Sequence, residues 1–140
     1  MSRHGDFRFE KLTSAAVIPT VETVGSCGHD FRALESFKID PGETVGIRTG
    51  ITAFFPRSYA LFLKSRPGLV KNHGITTEAG VIDSDYYPRE IVVLLRNSGK
   101  EVYRGKFGDK ISQGIFVGIY TIPPSRGGGE RTGGFGSTGR

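Results

Sequence analysis

The sequence predicts an all-β fold, a β-sandwich or jelly roll, on three observations. The 140 residues include 21 glycines and seven prolines, and no stretch keeps an apolar period of 3.6 residues. Segments rich in β-branched and aromatic residues indicate strands at 45–55, 59–66, 90–97 and 114–122. Turn sequences separate them, at 40–43, 55–58, 97–101 and 105–110. Many short strands at short spacing are typical of sandwiches and barrels.

Composition limits the class of protein and its partners. A hydrophobic content of 36% suits one domain with a modest core, and the longest apolar run, 91–95, is too short to span a membrane. The charged N-terminus indicates no secretory signal, and the single cysteine, Cys27, excludes an internal disulfide. We therefore expect a cytoplasmic protein without a membrane partner. The net charge of +5 favours anionic partners, without separating a triphosphate from a nucleic acid.

The chain divides into a β domain at 1–122 and a glycine-rich C-terminal arm at 123–140. Composition alone favours a disordered tail. An RNA-binding tail would need repeated Arg-Gly-Gly units, and only one occurs, at 126–128. The third interpretation is a lid over a nucleotide. Consecutive glycines let backbone N–H groups converge on phosphates, and Phe135 could stack on a base.

The stretch GVIDSDYYPREIVV (80–93) holds the strongest candidate for catalysis. It predicts a β-hairpin in which Asp83 and Asp85 lie on the same side of one strand. Asp83 follows an apolar run, so its carboxylate would be partly desolvated, as that of a general base often is. The alternative is a pair of solvated acids at a hairpin tip, which this stretch alone favours.

Three other stretches place polar side chains at turns or strand edges. Asp30 would direct a carboxylate at a cation or a basic group, or serve as an ordinary turn acid. Arg66, beside Pro67 and Gly68, suits bidentate binding of phosphate, or is simply exposed. The amide of Gln113 could fix a water or a phosphate oxygen, or lie at a strand edge.

These five stretches, in this order, resemble the five motifs of the trimeric deoxyuridine triphosphatases (dUTPases), from about residue 25 to the C-terminus. GVIDSDY together with GGFGSTG carries most of the specificity, and GDKISQ resembles the Gly-Asp-Arg-Ile-Ala-Gln of that family. The resemblance implies a jelly-roll subunit and a homotrimer with three active sites, each built from all three chains. It implies Mg²⁺-dependent hydrolysis of dUTP to dUMP and pyrophosphate, with the arm as the lid.

The resemblance also implies a role for each matching position. Asp83 would be the general base, Gln113 would lie near the α-phosphate and the attacking water, and Tyr86 would lie under the deoxyribose. The backbone of a hairpin at 77–83 and 91–92 would read uracil, involving Thr77, Val81, Ile82, Ile91 and Val92. Phosphates would bind Arg66, Pro67 and Gly68, and the arm would add Phe135 on uracil and Arg131, Gly136, Ser137 and Thr138 on the γ-phosphate. Asp30 would act through water on a Mg²⁺ held mainly by the triphosphate.

Four departures from the family pattern leave points open. Pro67 replaces a serine and so removes a hydroxyl and an N–H, which Ser65 could replace. YYPRE is one residue longer than the family's Tyr-x-Gly-Glu, and the spacing from Asp83 favours Tyr86 over Tyr87 as the sugar-facing ring. Arg131 directly precedes Thr132, so Arg126 is its reserve. The short linker to Phe135 leaves open which subunit's site the arm covers.

Three alternatives to a dUTPase remain. One is a catalytically weak relative that binds dUTP and regulates a protein partner. The related dCTP deaminases fit the arm and GVIDSDY less well. A nucleic-acid-binding β-barrel is the weakest of the three, and we expect no nucleic-acid partner.

Overall fold

The computed structural model of the chain describes residues 6–123, 129 and 131, and within them it confirms the all-β prediction. The described residues form twelve strands: β1 Arg8–Lys11, β2 Thr20–Val21, β3 His29–Arg32, β4 Phe37–Ile39, β5 Thr44–Arg48, β6 Ile51–Phe54, β7 Tyr59–Lys64, β8 Ile75–Glu78, β9 Val81–Ile82, β10 Val92–Asn97, β11 Tyr103–Gly105 and β12 Lys110–Gly118. Helix α1 spans Pro67–His73, and a 3-10 turn spans Ser84–Tyr86. In the described part of the chain, no helix is long and apolar enough to cross a membrane.

The strands form antiparallel sheets. The largest has the order β2-β3-β12-β7-β9, a second has the order β5-β10-β8, and β1-β6 and β11-β4 are two-stranded. Strand β12 pairs with β3 on one side and with β7 on the other, so Gln113 lies between Asp30 and Lys64. The central sheet therefore brings the ends of three strands, distant in sequence, to one place.

The apolar side chains of both larger sheets meet in one core. Phe31, Leu61, Ile91, Val93 and Leu95 are fully buried, and the other members of the cluster surround them. Strand β10 shows the alternation expected of a strand with one buried face, because Val93 and Leu95 face the core while Val92 and Leu94 are only partly buried. Each such buried side chain contributes about 1.5–3 kcal/mol.

Two predicted strands have different limits in the structure. The segment 45–55 is two strands, β5 and β6, because the chain turns a corner at Thr49 and Gly50, where Gly50 has a φ of 69°. The last strand begins earlier than predicted and ends at Gly118. Beyond it, Tyr120 and Ile122 are 88% and 84% exposed and pair with no strand within the described residues.

Helix α1 was not predicted, since Arg66-Pro67-Gly68 suggested a turn. Proline at the first helical position needs no N–H partner, so Pro67 begins the helix. The helix ends at Gly74, which has a φ of 68° and donates its N–H to the carbonyl of Val70. Its seven residues include none that is buried, so it left no apolar period in the sequence.

The predicted hairpin at 80–93 is wrong. Strand β9 pairs with β7, whereas β10 pairs with β5 and β8. The register of β8 with β10 ends at Glu78 and Leu94, after which Ala79 and Gly80 have φ values of 56° and 104° and redirect the chain toward β7. There Gly80 accepts a hydrogen bond from the N–H of Leu63. The chain thus separates from β10 and opens a pocket between them.

Candidate active site

The first pocket lies where β10 and the chain after β8 separate, and its volume is about 280 Å³. Leu63, Val92 and Leu94 supply apolar surface, and residues 78–83 form one wall. Asp83, Tyr86 and Arg131 add polar groups. A mostly apolar cavity with a few polar groups at one side is typical of a small-molecule site.

Backbone edges face this pocket because the ladder between β8 and β10 ends early. On the opposite edge of β10, Val92 is still paired with Arg48 of β5. Of the residues predicted to read uracil, the structure brings Val81, Ile82 and Val92 to the pocket. Backbone donors and acceptors released from a sheet are suited to recognise the edge of a planar base.

Two residues predicted to read uracil are engaged elsewhere. The N–H of Thr77 donates to the Ser65 hydroxyl at 2.8 Å, and the Thr77 hydroxyl lies 2.9 Å from that of Ser112. Ile91 is fully buried: its N–H donates to the Ile51 carbonyl, and its carbonyl accepts from Thr49 Oγ1 at 2.6 Å. The pocket therefore takes its β10 edge from Val92 onward rather than from Ile91.

Asp83 and Asp85 lie together, but not on one strand as predicted. Asp83 precedes the 3-10 turn in an extended conformation, and Asp85 lies within the turn. Both carboxylates bind the guanidinium of Arg131: Asp85 Oδ1 accepts from its Nε at 2.8 Å, and Asp83 Oδ2 accepts from its Nη2. The expected desolvation of Asp83 is not found within one chain, where its side chain is 56% exposed.

Arg131 is the residue of the C-terminal arm that the structure places at the pocket. Its guanidinium carbon is 5.8 Å from the centre of the Tyr86 ring, and its carbonyl accepts from Arg89 Nη2. The hydrogen bond that Arg131 donates to Asp85 is the main cause that raises the pKa of Arg131 above its usual value. The resemblance to the family implies this arginine on a γ-phosphate, and here it binds the two carboxylates and offsets one of their two negative charges. The other arm candidates, Arg126, Phe135, Gly136, Ser137 and Thr138, lie outside the described residues.

The two adjacent tyrosines point in different directions. Tyr86 lines the pocket, and its hydroxyl donates to the carbonyl of Glu90 at 2.8 Å. Burial raises the pKa of Tyr86 above its usual value of 10. Tyr87 instead packs edge-on against Phe54, at 5.3 Å between ring centres, and donates to Glu10 Oε1. Tyr86 is therefore the ring available to a ligand in this pocket, as the spacing from Asp83 suggested.

A second pocket, of about 370 Å³, contains the other predicted polar residues. Asp30, Arg66, Pro67 and Gln113 line it, together with residues 25–28. Asp30 lies 3.7 Å from Arg66 Nε and 3.5 Å from Lys110 Nζ, and its side chain is only 13% exposed. Glu22, which is 67% exposed and lies 4.0 Å from Lys110, adds a second carboxylate at the rim, so the two cations and two carboxylates balance. The guanidinium and ammonium donors of Arg66 and Lys110 still suit the pocket to an anion that competes with these carboxylates, and we call it the anion pocket. Gly68 lies on α1 and is not among the residues that line this pocket.

The position of Gln113 depends on a glycine that the sequence reasoning did not single out. Gln113 Nε2 donates to the Ser65 carbonyl at 3.0 Å, which leaves Oε1 free to accept. A Cβ at Gly28 would lie 2.4 Å from that Oε1. The pattern SCGHD, a glycine two residues before the candidate aspartate, is the signal that could have identified it. Lys110 was likewise missed as the second cation on Asp30.

The described residues offer no cage for a metal ion, since no three His, Cys, Asp or Glu side chains among them come together. The anion pocket has one well-buried carboxylate, Asp30, and its oxygens face Arg66 and Lys110. Mg²⁺ bound to a nucleotide commonly takes one or two carboxylates and completes its shell with phosphate oxygens and water. These residues therefore fit a metal that arrives with substrate phosphates.

Known proteins similar to the chain define its family. A family model described as dUTPase matches residues 14–139. A deoxyuridine 5'-triphosphate nucleotidohydrolase of Wolinella succinogenes is 35% identical over 140 residues, covering 95% of this chain and 93% of that protein. One of Haemophilus influenzae is 43% identical over 108 residues, covering 73% and 70%.

The chain belongs to the dUTPase family.

Solved dUTPase structures share the fold. The dUTPase from phage phi11 of S. aureus superposes with a TM-score of 0.79 at 20% identity, covering 90% of this chain and 98% of that one. The dUTPase of Staphylococcus bacteriophage 80alpha, solved with dUpNHpp, has a TM-score of 0.79 at 21% identity, with coverages of 96% and 98%. At this identity the likeness extends to the fold alone.

Proposed function

We propose that the chain is a dUTP diphosphatase that hydrolyses dUTP to dUMP and pyrophosphate. The observation that carries the proposal is the separation of β8 and β10, which exposes backbone groups and brings Asp83 and Tyr86 to one pocket. The relatives named above as deoxyuridine 5'-triphosphate nucleotidohydrolases support it. The anion pocket, with Arg66 in its wall and Lys110 beside Asp30, supports binding of the phosphates.

Base selection rests on the backbone of the first pocket. Uracil presents a ring N–H between two carbonyls, whereas cytosine presents an amine and an unprotonated nitrogen. A site that hydrogen-bonds one pattern leaves its own groups unpaired with the other, which makes it strongly selective. The side chains of Leu63 and Leu94 would bound the space available next to the base and so oppose the methyl group of thymine.

Sugar selection rests on Tyr86. Its ring lines the pocket, and its hydroxyl donates to the Glu90 carbonyl, so the ring is held in a fixed position in the pocket wall. A deoxyribose packed on this ring leaves no space for a 2′-hydroxyl, so the 2′-hydroxyl of a ribose would clash with the ring.

Hydrolysis requires a base and an oriented water. The Asp83 carboxylate would take a proton from water as its oxygen bonds to the α-phosphorus. The bond from that phosphorus to the bridging oxygen then breaks, and the electron pair leaves with pyrophosphate. Gln113 Oε1, free of a hydrogen bond from its own chain, would accept a hydrogen of the same water. Such a general base is worth about 10²–10⁴-fold in rate.

The anion pocket would bind the phosphates. Arg66 and Lys110 supply positive charge near Asp30, which orients both. Asp30 would also contact Mg²⁺ through water, as the resemblance to the family implies. The metal, when bound, would neutralise phosphate charge and polarise the phosphoryl oxygens. Pro67 offers no N–H to a phosphate, and the Ser65 hydroxyl, which accepts from Thr77, still has a proton to donate.

We infer a homotrimer with shared sites from the resemblance to the family, and the separation of the two pockets supports the sharing. Within the described residues they share no lining side chain, so Asp83 and Gln113 do not face one cavity in one chain. A site needs both, and a neighbouring copy would supply the missing half. The same neighbour would cover Asp83 and remove the exposure seen in the single chain.

Pyrophosphate release from dUTP, dCTP, dTTP and UTP, each with Mg²⁺ and with a chelator, tests the proposal. We expect release from dUTP alone and only with the metal. Release from dCTP or UTP at a similar rate would contradict the selectivity argument. Binding of dUTP without release would identify the chain as a dUTP-binding regulator instead.

A further inference from the structure

We propose that Glu90 is a positioning residue for Tyr86. Through Glu90, the core of the domain holds the Tyr86 ring at the place where it excludes a ribose 2′-hydroxyl. The inference rests on the proposed function, because it concerns the substrate of the same pocket. Glu90 does not line that pocket, and it reaches the ligand only through the tyrosine.

The first link joins the tyrosine to the backbone of Glu90. The hydroxyl of Tyr86 donates to the Glu90 carbonyl at 2.8 Å, and the N–H of Arg89 donates to the Tyr86 carbonyl at 2.9 Å. The two bonds close residues 86–90 into a compact loop. Where the Glu90 backbone lies therefore decides where the tyrosine ring lies.

The second link joins the Glu90 carboxylate to the corner between β5 and β6. Its Oε2 accepts from the N–H of Gly50 at 2.8 Å, and Arg48 Nε lies 3.2 Å from both oxygens. The Glu90 side chain is 21% exposed, against 53% for Arg48. A carboxylate that accepts a backbone N–H in a half-buried place makes one of the stronger hydrogen bonds in a protein.

The third link joins that corner to the core. Gly50 has a φ of 69°, and a Cβ there would lie 2.9 Å from that of Ala16, so the corner is closely packed. Next to it Thr49 donates to the Ile91 carbonyl, and Ile91 donates to the Ile51 carbonyl. These last two bonds do not involve Glu90. The fold is therefore held at Ile91 without Glu90. The Glu90 carboxylate adds a second attachment, which fixes the position of residues 86–90.

The chain of contacts runs from the core to Gly50, to Glu90 and then to the Tyr86 ring. Rejection of a 2′-hydroxyl depends on a steric limit, and a ring that shifts by a fraction of an ångström relaxes it. Loss of the carboxylate should thus weaken sugar selection more than it weakens catalysis, because the Asp83 carboxylate is held by Arg131 and the Gln113 amide by Ser65, not by Glu90. Asp83 joins the loop through its backbone carbonyl, which accepts from the Tyr86 N–H, so a smaller effect on kcat is expected as well.

The test compares Glu90→Ala with wild type in kcat and KM for dUTP and UTP, and in the Kd of dUMP and UMP. We expect the ratio of kcat/KM for dUTP over UTP to fall about tenfold, the size of one lost charge-assisted bond, with a smaller change in kcat for dUTP. Glu90→Gln keeps an oxygen for the Gly50 N–H and should restore most of the ratio. Glu43→Ala is the matched control, since Glu43 accepts the Asp40 N–H at the other end of β5.

An unchanged ratio in Glu90→Ala, with only a lower melting temperature, would overturn the inference and leave Glu90 a structural residue. Should Glu90→Ala fail to fold, Tyr86→Phe removes the same link from the other side and keeps the ring, and a wild-type ratio there would equally overturn it. If the wild-type chain binds dUMP more tightly than UMP but does not hydrolyse dUTP, only the proposed activity is contradicted. The ratio of the two Kd values then still tests the role of Glu90.

Discussion

Arg131 Nε lies 2.8 Å from Asp85 Oδ1, and the same guanidinium binds Asp83, so an arginine of the C-terminal arm rests on the carboxylate assigned as the general base. This contact is made within one chain. It joins the arm to the pocket lined by Asp83 and Tyr86 rather than to the anion pocket lined by Asp30 and Gln113. A nucleotide that enters with its phosphates must therefore compete for this guanidinium or share it with the aspartates.

Replacing Arg131 by alanine should raise KM for dUTP about tenfold, because the arm loses its contact with the rim of the pocket. Steady-state kinetics measures this. Arg126→Ala is the matched control, as it removes the same charge from the arm. A larger loss in Arg126→Ala than in Arg131→Ala would transfer the phosphate-binding role to Arg126.

Asp83→Asn should lower kcat for dUTP about 10³-fold, since an amide cannot take the proton from water. Binding of dUTP and the melting temperature should change little, because this side chain is exposed in the chain and supports no core contact. Asp85→Asn, which also removes a charge from Arg131, should keep most of kcat. Equal losses in the two variants would show that the pair acts through Arg131 and that the base is misassigned.

Gly28→Ala should lower kcat/KM for dUTP more than about tenfold, since the new Cβ would meet Gln113 Oε1 at 2.4 Å and displace the amide that orients water. Gly25→Ala, in the same loop, is the control, as nothing lies within 4 Å of its Cβ. Kinetics with the melting temperature separates a displaced amide from a damaged fold. Wild-type activity in Gly28→Ala would remove Gln113 from the mechanism.

Thr52→Val should stabilise the chain by about 1 kcal/mol, because the buried Thr52 Oγ1 has no hydrogen-bond partner among the described residues. Thr49→Val is the opposite case. Its hydroxyl donates to the Ile91 carbonyl at 2.6 Å, so its loss should destabilise by about 1–3 kcal/mol. Urea unfolding compares both with wild type, and a loss of stability in Thr52→Val would indicate a partner such as a buried water.

The fold class followed from composition and turn chemistry, but the pairing of strands did not. The hairpin at 80–93 was wrong because Ala79 adopts a positive φ, for which an alanine gives no signal. Helix α1 escaped notice because a helix without a buried residue has no apolar period. Both errors concern tertiary contacts that decide which of two local conformations a segment adopts.

Several of the residues that the motifs selected come together in two pockets, and the exceptions have physical causes. Asp30, Arg66 and Gln113 do meet in one pocket, and Asp83 and Tyr86 meet in another. Ile91 was assigned to the pocket although the alternation along β10 places it with Val93 and Leu95 in the core. Lys110 and Glu90 were overlooked because their partners, Asp30 and Gly50, are distant in sequence.

Subunit complementation tests the central claim most directly, namely that an Asp83 pocket and a Gln113 pocket on different chains form one dUTP-hydrolysing site. Asp83→Asn and Gln113→Ala chains, each inactive alone, are co-expressed with different tags, and the mixed oligomers are isolated through both. In a cyclic trimer that contains both chains, one of the three sites pairs two intact halves, so we predict about one third of wild-type dUTP hydrolysis in the isolated mixed oligomers and about one quarter before isolation. Mixed oligomers as inactive as either parent would contradict the account, because both halves would then have to come from one chain.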